Sequence, residues 1–169
     1  MRRIPTLAGV AVALLAIACR DDPRRLITAP PPAPETASAP YLTVSGEDPR
    51  PGSTATVTAH VAPASGVKPI GSFAAHLRYD PAGLAFVAES KLPTGLRALN
   101  PQPGHIRVAG AAVEGFTDGR LFAVTLKVND PRGLASLELT LDEMTGTDFA
   151  NRLPANPAHR TVQLGRLPR

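Results

Sequence analysis

Along residues 54–61, "TATVTAHV", apolar and polar side chains take turns. Ala55, Val57, Ala59 and Val61 fall on one side, and Thr54, Thr56, Thr58 and His60 on the other. A two-residue period is the signature of a β-strand with one face buried. The period recurs in "GSFAAHLRYD", where Phe73, Ala75, Leu77 and Tyr79 alternate with Ala74, His76 and Arg78. "HIRVAGAAV" groups Ile106, Val108, Gly110 and Ala112, "RLFAVTLKV" groups Phe122, Val124, Leu126 and Val128, and "ASLELTL" groups Leu137, Leu139 and Leu141. Shorter runs at Tyr41–Val44, Leu84–Glu89, Leu96–Asn100 and Thr161–Leu164 bring the expected total to about nine strands.

Turn signals separate these runs: "EDPRPGS", "YDPAGL", "NPQPGH", "TDGR" and "NDPRG". Each supplies Pro to preset φ or Gly to permit positive φ. No segment carries the stripe of an amphipathic helix. The expectation is an all-β fold, a two-sheet antiparallel sandwich of jelly-roll topology. Composition agrees: Pro (19) and Gly (14) are abundant and Trp is absent, as suits many short strands joined by turns.

The pattern differs before residue 41. "MRRIPTLAGVAVALLAIAC" has a charged start, an apolar run and a small-residue end. Leu7 to Ile17 is about half of the roughly 20 residues that a membrane-spanning helix needs, so the segment is expected to be an export signal. Its end, "AIAC", resembles the lipobox of bacterial lipoproteins. That resemblance implies a signal peptide over 1–18, cleavage after Ala18 and lipidation of Cys19, with an ordinary secretory signal as the alternative. Several acyl chains, at about 0.8 kcal/mol per CH2, anchor a protein stably where one would not. Cys19 is the sole cysteine, so no internal disulfide is expected. An exported, membrane-anchored lipoprotein of the outer membrane, cell surface or periplasm follows, in place of a cytoplasmic protein. The stretch up to Pro40 has six prolines after Cys19 and little to bury, the composition of an extended linker. The folded domain is then 41–169.

Charge narrows the partners. The net charge of +4 includes Arg2 and Arg3 in the export segment; from Cys19 onward 16 basic residues face 14 acidic ones. So small an excess, scattered along the chain, does not point to nucleic acid.

Several stretches together resemble cohesin modules: "IGSFAAHLRYDPAGLAFV" a third-to-fourth strand passage through Tyr-Asp-Pro, "GHIRVAGAAVEGFTDGRLFAVTLKV" a later passage, "LTLDEMTGTDFANRLP" the closing segment and "VSGEDPRPGSTATVTAHV" the opening. The resemblance covers nearly all of Tyr41 to Leu167. It implies a non-catalytic receptor that binds a protein partner, a dockerin in cellulosome systems that gather polysaccharide-degrading enzymes. Within it, Tyr79, Asp80 and Pro81 form a structural corner. In clostridial modules an Asn and an Asp on the third strand's outer face contact dockerin; aligned on Tyr-Asp-Pro, those places are Ser72 and Ala74. Ala74 has no acceptor, so the usual polar contact is missing. The expected partner surface is Ser72, Ala74, His76 and Arg78, with Arg107, Ala109 and Ala111 from a neighbouring strand. Two alternatives stand beside it, a carbohydrate-binding module and a structural envelope lipoprotein. With no Trp, and with most of five Phe and two Tyr wanted inside, aromatic platforms for crystalline polysaccharide are not expected, although a soluble glycan held by polar groups remains an alternative.

Catalytic patterns are missing. There is no G-x-S-x-G elbow and no Gly-rich phosphate loop. His60, His76, His105 and His159 lack metal-ligand spacing, and no EF-hand loop occurs. Glu138, Asp142 and Glu143 are read as rim charges and not as a glycosidase pair. The sequence is read as that of no enzyme and as needing no cofactor or metal.

Overall fold

A computed structural model describes residues 40–46, 49–62 and 66–164. The signal segment, Cys19 and the linker as far as Ala39 lie outside the described residues. Nine strands are present among the described residues: β1 (Pro40–Ser45), β2 (Thr54–Val61), β3 (Ile70–Arg78), β4 (Leu84–Glu89), β5 (Leu96–Gln102), β6 (His105–Ala111), β7 (Arg120–Val128), β8 (Glu138–Gly146) and β9 (Thr161–Gln163). Two short 3-10 turns, Pro131–Ser136 and Pro157–Arg160, accompany them. Every expected strand exists, and the differences are at the ends. β1 takes in Pro40, which pairs with Val61 at a sheet edge, where a residue without an N–H is tolerated.

The strands form two antiparallel sheets, one ordered β1-β2-β7-β4 and the other β5-β6-β3-β8-β9. The chain crosses between sheets at β2–β3, β3–β4, β4–β5, β6–β7 and β7–β8, the winding of a jelly roll. Between the sheets lies the core anticipated from the alternation. Val57, Leu77, Ile106, Phe122, Val124, Leu126 and Leu139 are fully buried. Each such side chain contributes about 1.5–3 kcal/mol by leaving water. Phe73 packs edge-on against Phe116 with ring centroids 5.3 Å apart, and its ring covers Gly110, where any Cβ would clash. Arg97 of β5 reaches across the layers. It donates from Nε to the Leu121 carbonyl of β7 and lies over the Phe116 ring, 5.0 Å from its centroid.

The Tyr79-Asp80-Pro81 corner has a twin. Asp80-Pro81-Ala82-Gly83-Leu84 and Asp130-Pro131-Arg132-Gly133-Leu134 share the pattern D-P-x-G-L, and they fold alike. Asp80 Oδ1 accepts the Ala82 N–H at 2.9 Å, and Asp130 Oδ1 accepts the Arg132 N–H at 2.9 Å. The Gly83 and Gly133 N–H groups donate back to the Asp80 and Asp130 carbonyls. The two turns then meet glycine to glycine: a Cβ on Gly83 would lie 2.8 Å from the Gly133 Cα, and one on Gly133 2.9 Å from the Gly83 Cα. Ser136 bridges them, its Oγ accepting from the Asp80 N–H at 2.7 Å and donating to the Gly133 carbonyl at 2.6 Å. Tyr79 is buried beside the corner, and its hydroxyl donates to the Gln102 carbonyl at 3.3 Å.

Backbone cannot yield as a side chain can. Gly83→Ala and Gly133→Ala are each expected to lower the unfolding free energy by about 1–3 kcal/mol, measured by urea denaturation. Pro51→Ala, in a separate exposed turn, is the control and is expected to change it by less than about 1 kcal/mol.

Candidate functional site

A strand that buries alternate residues displays the rest in fixed register. On the five-stranded sheet, β3 pairs with β6 so that Ser72 faces Ala111, Ala74 faces Ala109, His76 faces Arg107 and Arg78 faces His105. β5 continues the rows with Leu96, Ala98, Asn100 and Gln102. β8 flanks β3 on its other side, with Thr145, Glu143, Thr140 and Glu138 opposite the same four β3 residues. The structure therefore brings Ser72, Ala74, His76, Arg78 and Arg107 onto one outer face.

That face has two halves. One is apolar and low: Ala74, Ala98, Ala109 and Ala111 form a shelf of methyl groups, with Leu96 82% exposed at its end and Val113, just past β6, 93% exposed. The other half is charged. Arg78 and Arg107 are exposed and have no hydrogen bond or ion pair among the described residues. A shallow depression of about 420 Å³ joins the halves, lined by Ala74, His76, Ala98, Asn100, Arg107 and Asp142.

In the charged half three side chains form a chain of bonds. His76 Nε2 lies 2.6 Å from Asp142 Oδ2, and His76 Nδ1 lies 2.7 Å from His105 Nε2. The ring planes are within 4° of each other and the centroids 4.9 Å apart. That separation is the nitrogen–nitrogen distance plus one ring radius at each end, so the imidazoles meet edge to edge through N–H···N and not face to face. A bulge positions the carboxylate. Ala74 pairs with Glu143 but Ala75 with Leu141, which leaves Asp142 as the extra residue on β8, aimed at His76.

His105 and Asp142 were not among the expected partner-surface residues. Asp142 had a signal: buried positions run Leu139, Leu141, then Met144, Gly146, and an odd-to-even switch requires one extra residue at the Asp142-Glu143 pair. His105 had none, because its role depends on the β3–β6 register. Of the rim charges, Glu138 Oε2 accepts from Gln163 Nε2 at 3.0 Å and Glu143 is exposed. A separate cavity of about 220 Å³ opens at the end of the sandwich away from the corner, between Val61, Pro69, Ile70, Phe116 and Arg152. It is mostly apolar, and the Arg152 guanidinium there pairs with Asp148 at 2.5 Å. On the opposite sheet, His60 stacks on Tyr41 with centroids 4.7 Å apart and is bonded to Thr43 Oγ1 at 2.8 Å.

No known family's sequence profile matches the chain, and no curated relative matches it either. Solved structures do match, and they show the fold of cohesin modules. The cohesin module of a Clostridium perfringens family 33 glycoside hydrolase has a TM-score of 0.52 and 12% identity, over 76% of this chain and 96% of that one. A type I cohesin of Clostridium thermocellum, solved in a cohesin–dockerin complex, has a TM-score of 0.52 and 15% identity, over 69% and 92% of the two chains. A non-cellulosomal cohesin of the archaeon Archaeoglobus fulgidus has a TM-score of 0.50 and 21% identity, over 68% and 83%.

Two histidines resist protonation in the folded chain. His60 is lowered from its ordinary value by burial and then by the Arg120 charge. His105 is lowered by burial first, then by His76, Arg107 and Arg78, with Asp142 opposing. The unfolded chain takes up these protons near pH 6.5, where the folded chain binds fewer. Stability is therefore greatest above that pH and falls as pH drops through the histidine range. Denaturation at about pH 7.5 and about pH 5.5 is expected to show the loss, and a His60→Gln, His105→Gln double variant to lose less. An equal loss in the variant contradicts this assignment.

Proposed function

We propose that this chain is a binding module with no catalytic role, which holds a protein partner against the outer face of β5, β6, β3 and β8. One observation carries the reading: a shelf of small side chains lies beside two guanidiniums that have no partner among the described residues. Small residues let another backbone approach closely, and unpaired Arg side chains anchor carboxylates with paired, directional bonds. The partner is a protein domain whose contact surface carries carboxylates next to a small apolar patch. The cohesin fold supports a receptor role, since one of its solved examples is held in complex with a dockerin. The absence of an acceptor at Ala74 turns the contact toward the Arg78–Arg107 half of the face.

The sequence before β1 supports export and anchoring. A lipid on Cys19 and a proline-rich spacer place the module at a membrane surface, free to meet a large partner.

Two measurements test this reading. Immobilised full-length chain is expected to retain a protein from the exported fraction of its own cell. Ala74→Arg and Arg107→Glu are expected to weaken that capture by about tenfold or more, while Thr56→Arg, on the other sheet, leaves it unchanged. Equal capture by all variants contradicts the face. Separately, Cys19→Ala is expected to move the chain from the membrane fraction to the soluble one; an unchanged distribution overturns the anchor.

A further inference from the structure

The bonded chain Asp142–His76–His105 sits in the middle of the charged half, and a docking role alone does not account for it. With both rings neutral, the donors and acceptors sort in one way. His76 Nε2–H donates to the Asp142 carboxylate, which leaves His76 Nδ1 to accept from His105 Nε2–H. The remaining nitrogen, His105 Nδ1, has no partner among the described residues. A first proton binds there, and the Nε2 proton of His105 passes to His76 Nδ1. The charge then rests on the His76 ring beside Asp142, and both bonds persist with the ring–ring donor reversed. A second proton has no such place: it sets Nε2–H of His105 against Nδ1–H of His76, and the bond between the rings is lost.

The charges facing these rings are few. β3 contributes Arg78, β6 Arg107, and β8 Glu138, Asp142 and Glu143, whereas β5 presents the neutral Asn100 and Gln102 and β9 the neutral Thr161 and Gln163. Two guanidiniums against three carboxylates leave the face one charge negative when the rings are neutral. The first proton neutralises it, and the second makes it positive.

We propose that docking on this face is linked to protons: the Asp142–His76–His105 chain takes up a proton as pH falls and cancels the net negative charge of the face, so a carboxylate-bearing partner is held in mildly acid medium and released in alkaline. The proposal rests on the docking role given to the same face. Burial and the charges of His76, Arg107 and Arg78 lower the proton affinity of His105, which separates the two protonation steps.

The test uses 15N-labelled full-length chain. Ring nitrogen shifts at about pH 8 are expected to place both His76 and His105 in the Nε2–H form, with Asp142→Asn giving His76 a mixture of the two forms. His76→Gln is expected to raise the His105 midpoint, because the neighbouring ring's charge is removed. Mixed forms of His76 in the unaltered chain, or no effect of Asp142→Asn, overturn the proton chain whatever the face binds. A second arm titrates a short synthetic Ala/Glu peptide at constant salt. It is expected to shift the amides of Ala74, Arg107 and Ala109 and to bind about tenfold more tightly near pH 5.5 than near pH 8. The His76→Gln, His105→Gln double variant is expected to lose that difference. Equal affinity at both pH values, with the proton chain intact, overturns the linkage alone. Shifts absent from β3 and β6 at both pH values overturn the docking role as well.

Discussion

Two glycine backbones in contact hold the sandwich together at one end. The Asp80 turn carries the chain from β3 in one sheet to β4 in the other, and the Asp130 turn carries it back from β7 to β8. Because Gly83 and Gly133 touch, and Ser136 ties the second turn to the Asp80 amide, the two crossovers enter and leave at one fixed point. β8 must then start beside the end of β3, with Glu138 opposite Arg78. That register decides which β8 side chains reach His76, and it brings the bulged Asp142 within bonding distance. The geometry of the outer face is thus set by a contact between turns.

Much of this architecture was legible because β-strands reveal themselves by parity. The inward sets on β2, β3, β6, β7 and β8 were readable from alternation alone, and the buried core contains all of them except Gly110 and Ala112 of the β6 set. Strand ends were less legible, since a strand stops where its partner stops; Pro101 and Gln102 extend β5 because β6 is there to pair with them. Ala112, grouped with the inward side of β6, lies just past the strand and is half-buried. The corner at Tyr79 was readable as structural, but its twin at Asp130 mattered only once the two were seen to touch.

The outer face of the five-stranded sheet was legible in part. Ser72, Ala74, His76, Arg78 and Arg107 share a face because their parity says so, and the neighbouring strand needed only the expected β3–β6 pairing. The bond between His76 and His105 could not be read, because it runs diagonally between strands and depends on register to one residue. Asp142 was read as a rim charge because two acids in succession look like a solvated edge. Only the parity switch across Asp142 and Glu143 marks a bulge, and only the fold turns that bulge toward a histidine.

What distinguishes the two sheets is the character of their outer faces. The four-stranded sheet shows Thr54, Thr56, Thr58 and Thr125, a row of short hydroxyls in which Thr125 bonds to Ser90 at 2.8 Å. The five-stranded sheet shows methyl groups beside guanidiniums that have no partner among the described residues, a combination that gains more from a protein surface than from water. The structure of the chain bound to its partner tests this most directly. The partner is expected to lie across β5, β6, β3 and β8, with a carboxylate against Arg78 or Arg107 and backbone close to Ala74 and Ala109. A partner seated on β1, β2, β7 and β4, or in the cavity beside Phe116, contradicts the account.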